Sequence, residues 1–147
     1  MNKLFLLAFA LLLTACDFAR NDDSEAADAA VIWANAYFNC DFHEAQRFAT
    51  PESERWLRMA ASNVTEHDLQ LLHAGEGATV EADEHFPVAS DTLRVVTLRV
   101  SNYLSASLDT TARLMPKGTF LVKVVKRGDG WKVRMEGLPR SERRSRG

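Results

Sequence analysis

Apolar positions along this chain follow three rules in three successive stretches. From Leu4 to Leu13 they are uninterrupted, behind a lone Lys3. From Ser24 to Leu72 they recur every three or four residues, the mark of helices with one buried face. From Ala78 to Glu136 they tend to alternate with polar residues, the mark of strands with one buried face. Helices first and strands after predict an α+β fold, with N-terminal helices packed on an antiparallel sheet in one domain over residues 24–137.

In the helical stretch, Ser24 is placed to cap a helix, with Glu25 and Asp28 in its favourable first turn. Ala30, Trp33, Ala34, Tyr37 and Phe38 form its apolar face, and it should run to about Asn39. Asn39-Cys40-Asp41 breaks the pattern. Asp41 and Glu44 make a capping-box spacing for a second short helix, with Phe42, Ala45, Phe48 and Ala49 as its buried stripe. Thr50-Pro51 is a third start signal, leading into Trp56, Leu57, Met59 and Ala60. Thr65 opens a last turn through Leu69, Leu71 and Leu72, and Gly75-Glu76-Gly77 ends the helices.

Among the strands, Ala78 to Phe86 is expected to stop at Pro87. Leu93 to Leu104 reads as a long strand with Val96, Leu98 and Val100 on one face. Thr119 to Arg127 sets Phe120, Val122 and Val124 against Lys123 and Arg127. Gly128-Asp129-Gly130 has hairpin-turn composition, and Trp131, Val133 and Met135 alternate beyond it. Ser105 to Met115 fits a strand or a loop equally. From Pro139 the Arg-rich tail, within a segment 138–147, carries no pattern and is expected to be disordered.

The first stretch changes the picture. Leu4 to Leu13 is too short to span a bilayer, which takes about 20 apolar residues, and has the outline of a secretory signal. It ends in Leu13-Thr14-Ala15-Cys16, which resembles the lipobox of bacterial lipoproteins. The resemblance implies a signal peptide over 1–15, a diacylated Cys16 as mature N-terminus, and a polar tether over 16–23. It also implies a protein lipid-anchored to the inner or outer membrane of the cell envelope. Stable anchoring by acyl chains takes more than one, since each buried methylene contributes about 0.8 kcal/mol. Asp17 resembles the residue that retains enteric lipoproteins in the inner membrane. With Cys16 lipidated, Cys40 has no partner for a disulfide, so stability must come from packing.

Net charge is −2, but the sign is unevenly distributed. Cys16 to Ser90 holds 15 acids against 4 Arg, and Asp91 to Gly147 holds 13 Lys and Arg against 5 acids. Either the halves balance each other on packing, or the basic half presents a surface to an anionic partner or to lipid headgroups. The candidates for such a face are Arg99, Lys123, Arg127, Lys132 and Arg134, with Arg140, Arg143, Arg144 and Arg146 in the tail.

The stretch from Ala34 to Ala45, followed by Thr50-Pro51-Glu52, resembles the opening of NTF2-like (cystatin-like) domains. Leu121 to Lys126 with Gly130-Trp131-Lys132-Val133 is similar to their final hairpin. The chain resembles in particular the lipoprotein-associated members of that superfamily, including DUF4878-type domains. It implies a cone, a curved sheet wrapped around helices with a pocket at its open end. Some members are isomerases or dehydratases, and many only bind or dimerise.

An enzyme of that kind needs an acid–base pair converging in the cone. Tyr37, Asp41 and Tyr103 are the candidate pocket residues, with His43, Asp83 and His85 further off. None falls in an enzymatic motif, Asp41 reads as a helix cap, and no catalytic residue is assigned. No cofactor is expected. His67 and His73, six apart, point to different sides of a helix, and no Cys/His spacing fits zinc. Nucleic acid is not an expected partner for an exported chain. The sequon Asn63-Val64-Thr65, and Asp91-Thr92-Leu93 with Asp109-Thr110-Thr111, are short enough to recur by chance. The expected function is a non-catalytic binding or accessory module, whose ligand is an envelope protein, a small molecule or a second copy of the chain.

Overall fold

The computed structural model describes residues 22–83, 88–105, 112–128 and 130–142. The signal segment, Cys16, Asp17, His85, Pro87, Asp109-Thr110-Thr111 and Arg143, Arg144 and Arg146 lie outside the described residues. Among the described residues, no helix is long and apolar enough to cross a membrane.

The fold is α+β, with helices packed on one face of a curled antiparallel sheet. Helix α1 covers residues 22–38. Its buried positions, Ala26, Ala29, Ala30, Trp33, Ala34 and Phe38, follow the expected helical spacing, and the alanines let its backbone lie close to the sheet. Ser24 does not cap it. The helix is already formed at Asp22, so Ser24 is an exposed residue within it, and Asp22 and Asp23 belong to the domain rather than to a loose tether.

Helix α2 (Phe42–Arg47) is capped by Asp41, whose Oδ1 accepts from the Glu44 amide at 3.2 Å. Only half the expected capping box forms, because the Glu44 carboxylate pairs with Arg47 at 3.0 Å. Thr50-Pro51 starts a 3-10 turn (Pro51–Ser53) that leads into α3 (Glu54–Asn63). Leu57 and Ala60 face the interior, whereas Met59, expected on that face, is 46% exposed. Thr65 and Asp68 make a complete capping box at α4 (Glu66–Ala74).

The strands are β1 (Thr79–Ala82), β2 (Val88–Ser90), β3 (Leu93–Leu104), β4 (Leu114–Arg127) and β5 (Gly130–Val133). Their order is β1-β3-β4-β5, with β2 pairing the start of β3. Val96, Leu98 and Val100 meet Val122, Phe120 and Gly118 across the β3–β4 ladder, and the apolar side chains of this set are buried against α1. Past Val100 the next buried position is Tyr103, so the in–out parity changes. The change occurs at Asn102, which has φ 57, and opposite it Pro116 has no N–H to give to a ladder. Tyr103 thereby folds its ring inward, and its hydroxyl occupies the space where a side chain at Gly118 would be.

Strand β5 is stitched to the helical half. The Val133 amide donates to the Phe48 carbonyl and the Thr50 amide to the Val133 carbonyl, both at 2.8 Å. Buried Ser53 accepts from the Met135 amide at 2.8 Å and shares a hydrogen bond with the Thr50 hydroxyl, also at 2.8 Å. Beyond β5 the chain stays beside β4. Arg134 donates to the Lys123 carbonyl at 2.9 Å and Glu142 to the Thr119 carbonyl at 2.7 Å, so the first residues of the expected tail are seated on the sheet.

The two ends of α1, about 24 Å apart at 1.5 Å per residue, are fastened differently. At its start Asp22 pairs with Lys126 at 3.0 Å and Asp23 with the Arg94 Nε at 2.7 Å. Arg94, 6% exposed, also donates to the Ser90 and Leu93 carbonyls, and its guanidinium lies 5.1 Å from the centre of the Trp131 ring. At the other end a neutral amide replaces the ions. Asn39 Oδ1 accepts from the Ala78 amide at 2.8 Å, while its Nδ2 donates to the Ala78 carbonyl at 3.0 Å and to the Asn35 carbonyl at 2.8 Å.

Candidate functional site

The space between the helices and the sheet, where a cone would have its pocket, is filled by side chains. Trp33 stacks on Tyr37 at 5.0 Å between ring centroids. Phe38 packs against Tyr37 at 5.2 Å, Tyr103 at 5.8 Å and Phe120 at 4.7 Å. Trp56 is half-buried against the same cluster. The three candidate pocket residues do not converge on an open space. Tyr37 and Tyr103 share Phe38 as a neighbour, but Asp41 is exposed and its carboxylate caps α2. Burial, and secondly the nearby Cys40, push the Tyr37 hydroxyl well above its ordinary pKa, so it remains a neutral phenol, able to donate but not to act as a base. Burial, with Asp68 second, raises the Cys40 thiol, the opposite of what an activated nucleophile requires. His43, His67 and His73 are exposed on the surface. Among the described residues, no group of three or more His, Cys, Asp or Glu side chains is placed to hold a metal ion.

Each of the five basic residues expected to form an anion-binding face has a partner. Arg99 pairs with Asp83 at 3.1 Å and with Glu81 at 3.7 Å, and Lys123 with Glu136 at 2.8 Å. Arg134 reaches Glu136 at 3.1 Å. Arg127 grips Glu52 through both guanidinium nitrogens, and Lys132 donates to the Arg47 carbonyl at 2.7 Å. The Arg127 hydrogen bonds hold the Glu52 carboxyl down to about 2, and the Lys123 bond lowers Glu136. Four of the five pair with acids, Lys123 and Arg134 sharing Glu136, and Lys132 is held by a carbonyl, so most of the positive charge on this face is matched locally.

What the structure does bring together is an open groove of about 620 Å³ on the outer face of the sheet. Its lining includes Thr79, Glu81, Arg99, Ser101, Lys117, Thr119 and Glu142. The ladder pairs Thr79 with Ser101, Glu81 with Arg99, Arg99 with Thr119 and Ser101 with Lys117, so three strands each contribute outward-facing polar positions. Glu142 arrives from the segment seated beside β4. Three hydroxyls, two carboxylates and two cations make this a hydrogen-bonding surface rather than an apolar cavity. Sequence reading singled out only Arg99 among these. Thr79, Glu81, Lys117 and Thr119 are ordinary outward strand residues, and only the strand register reveals them as neighbours.

No family model matches the sequence, and no curated protein matches it. Among solved structures, one described as an "Ntf2 like protein involved in plasmid conjugation" is similar, with a TM-score of 0.42 and 16% identity. The match covers 85% of this chain and 50% of that one, so the chain spans about half the length of its neighbour.

Proposed function

We propose that the chain is a bacterial lipoprotein, cleaved before Cys16 and held in the envelope membrane by acyl chains on it. In this reading its NTF2-like, DUF4878-type domain is a non-catalytic binding or accessory module. The anchor rests on Leu13-Thr14-Ala15-Cys16 behind an apolar run of signal length. The binding role rests on one observation, a cone packed with aromatic rings beside an open polar groove on the sheet. Recognition then takes place on the outer face, and the partner is an envelope protein with polar side chains to offer. The alternative, an isomerase- or dehydratase-like enzyme, needs an ionisable pair in the interior, and no observation favours it.

Two experiments test this. Intact mass of the full chain recovered from bacterial membranes should give a mature protein starting at Cys16 with acyl chains, and Cys16→Ser should abolish both cleavage and acylation. A photo-cross-linking side chain at Thr119 should trap one defined partner, a second copy included, that the same group at His67 on α4 does not trap. Trapping should fail when Arg99→Glu disrupts the groove. Equal trapping from both positions would refute the groove as the binding surface.

A further inference from the structure

The ionic fastening at the start of α1 has a geometric consequence for how the domain stands on a membrane. Four elements meet there. They are the first turn of α1 through Asp22 and Asp23, the β2–β3 hairpin through Ser90 and Arg94, the end of β4 through Lys126, and β5 through Trp131. The Lys126 amide adds a bond to the Thr92 carbonyl at 2.9 Å. The groove lies at the other end of the same strands. Arg94 and Ser101 are seven residues apart on β3, about 23 Å at 3.3 Å per residue.

We propose that the pole carrying Asp22, Asp23, Arg94 and Lys126 faces the bilayer, so that the groove is held away from it. The proposal rests on Cys16 being the lipidated residue. Cys16 and Asp22 are six residues apart, and no conformation of the intervening chain can separate them by more than about 22 Å. The clasp fixes the lower end of that leash. A helix start with no tertiary partner frays, and each residue that leaves the helix lengthens the leash from 1.5 to about 3.4 Å per residue. Buried Ala26 keeps the attachment at this pole. With Asp22 and Asp23 bound to two strands of the sheet, the leash is not lengthened by the further ~8 Å that four released residues would add. A domain held in this way presents its turns at Asp91 and Gly128 to the headgroups, and the groove with Lys117 and Thr119 to the aqueous side.

Energy transfer in proteoliposomes tests the arrangement. The full-length acylated protein, with a fluorescent non-natural side chain at Asp91 or at Arg113, is reconstituted in vesicles that carry a headgroup acceptor. Position 91 belongs to the clasped pole and position 113 to the opposite one, and both are exposed. Transfer at 91 should exceed transfer at 113 by about twofold or more, given the separation of the poles. In an Asp22→Asn, Asp23→Asn variant that keeps its circular dichroism spectrum, this ratio should fall. Acylated protein with equal transfer at both positions, or more at 113, would overturn the orientation while leaving the lipoprotein reading intact. A ratio unchanged in the double variant would overturn the role of the clasp. A mass spectrum without acyl chains on Cys16 would instead overturn the reading beneath both.

Discussion

The start of α1 is held to the sheet by two ion pairs around a tryptophan, and its end by one asparagine amide beside a stack of aromatic rings. Both ends solve the same problem, joining a helix to a sheet whose strands come much later in the chain. They differ in what they respond to. Ion pairs at partial exposure weaken with salt and titrate with acid. An amide bridging one residue's N–H and C=O does neither. The molecule therefore has one end whose attachment depends on its medium and one whose attachment does not.

Arg94→Ala should produce the largest effect and would break the comparison at its ionic side. It removes a buried guanidinium from Asp23, two carbonyls and the Trp131 face, and leaves those carbonyls without their donor, for a loss of about 3 kcal/mol. Urea unfolding measures it, and a loss no greater than an exposed pair gives would show that the clasp is ornamental. Asn39→Ala breaks the neutral side. Three hydrogen bonds go, one of which leaves the Ala78 amide unpaired, for about 2 kcal/mol. The same loss should be found in low and high salt, whereas the loss from breaking the more exposed Asp22–Lys126 pair should shrink as salt rises.

Smaller effects sharpen the contrast. Asp22→Asn should cost less than either, as expected for a partly exposed pair. The hydrogen bond from Lys126 lowers the folded-state pKa of Asp22. Its contribution is therefore complete above the unfolded value, near 3.9, and is lost as pH falls through the folded value. The difference in stability between wild type and Asp22→Asn should be flat near neutrality and close only in acid. A difference that changed between pH 6 and 8 would mean another group is responsible.

The strand β3 was legible to the residue, because Leu93 to Leu104 is β-branched and alternates over most of its length. Its partner was not, since β4 begins at Leu114 where Pro116, Lys117 and Gly118 break any alternation and pairing with β3 alone imposes the strand. Both the beginning of α1 and the basic face were misread for one reason. Asp22 and Asp23 look like tether until Lys126 and Arg94 are known to meet them, and five basic residues look like a free surface until four are found paired with acids and the fifth with a carbonyl. Local pattern reports burial and turns, but charge pairing across a hundred residues leaves no local trace. The groove is hidden still more completely, because each of its residues is unremarkable alone.

The Asp22–Lys126 pair spans 104 residues of sequence, and the bond from Met135 to Ser53 spans 82. A chain made from its N-terminus has emerged through α1 long before either partner exists, and contacts of such separation are slow to close. Contacts of this separation are expected to close after the folding barrier, the clasp among them. Asp22→Asn should consequently speed unfolding by the full measure of its destabilisation and leave the refolding rate unmoved, a distinction that stopped-flow chevrons read directly.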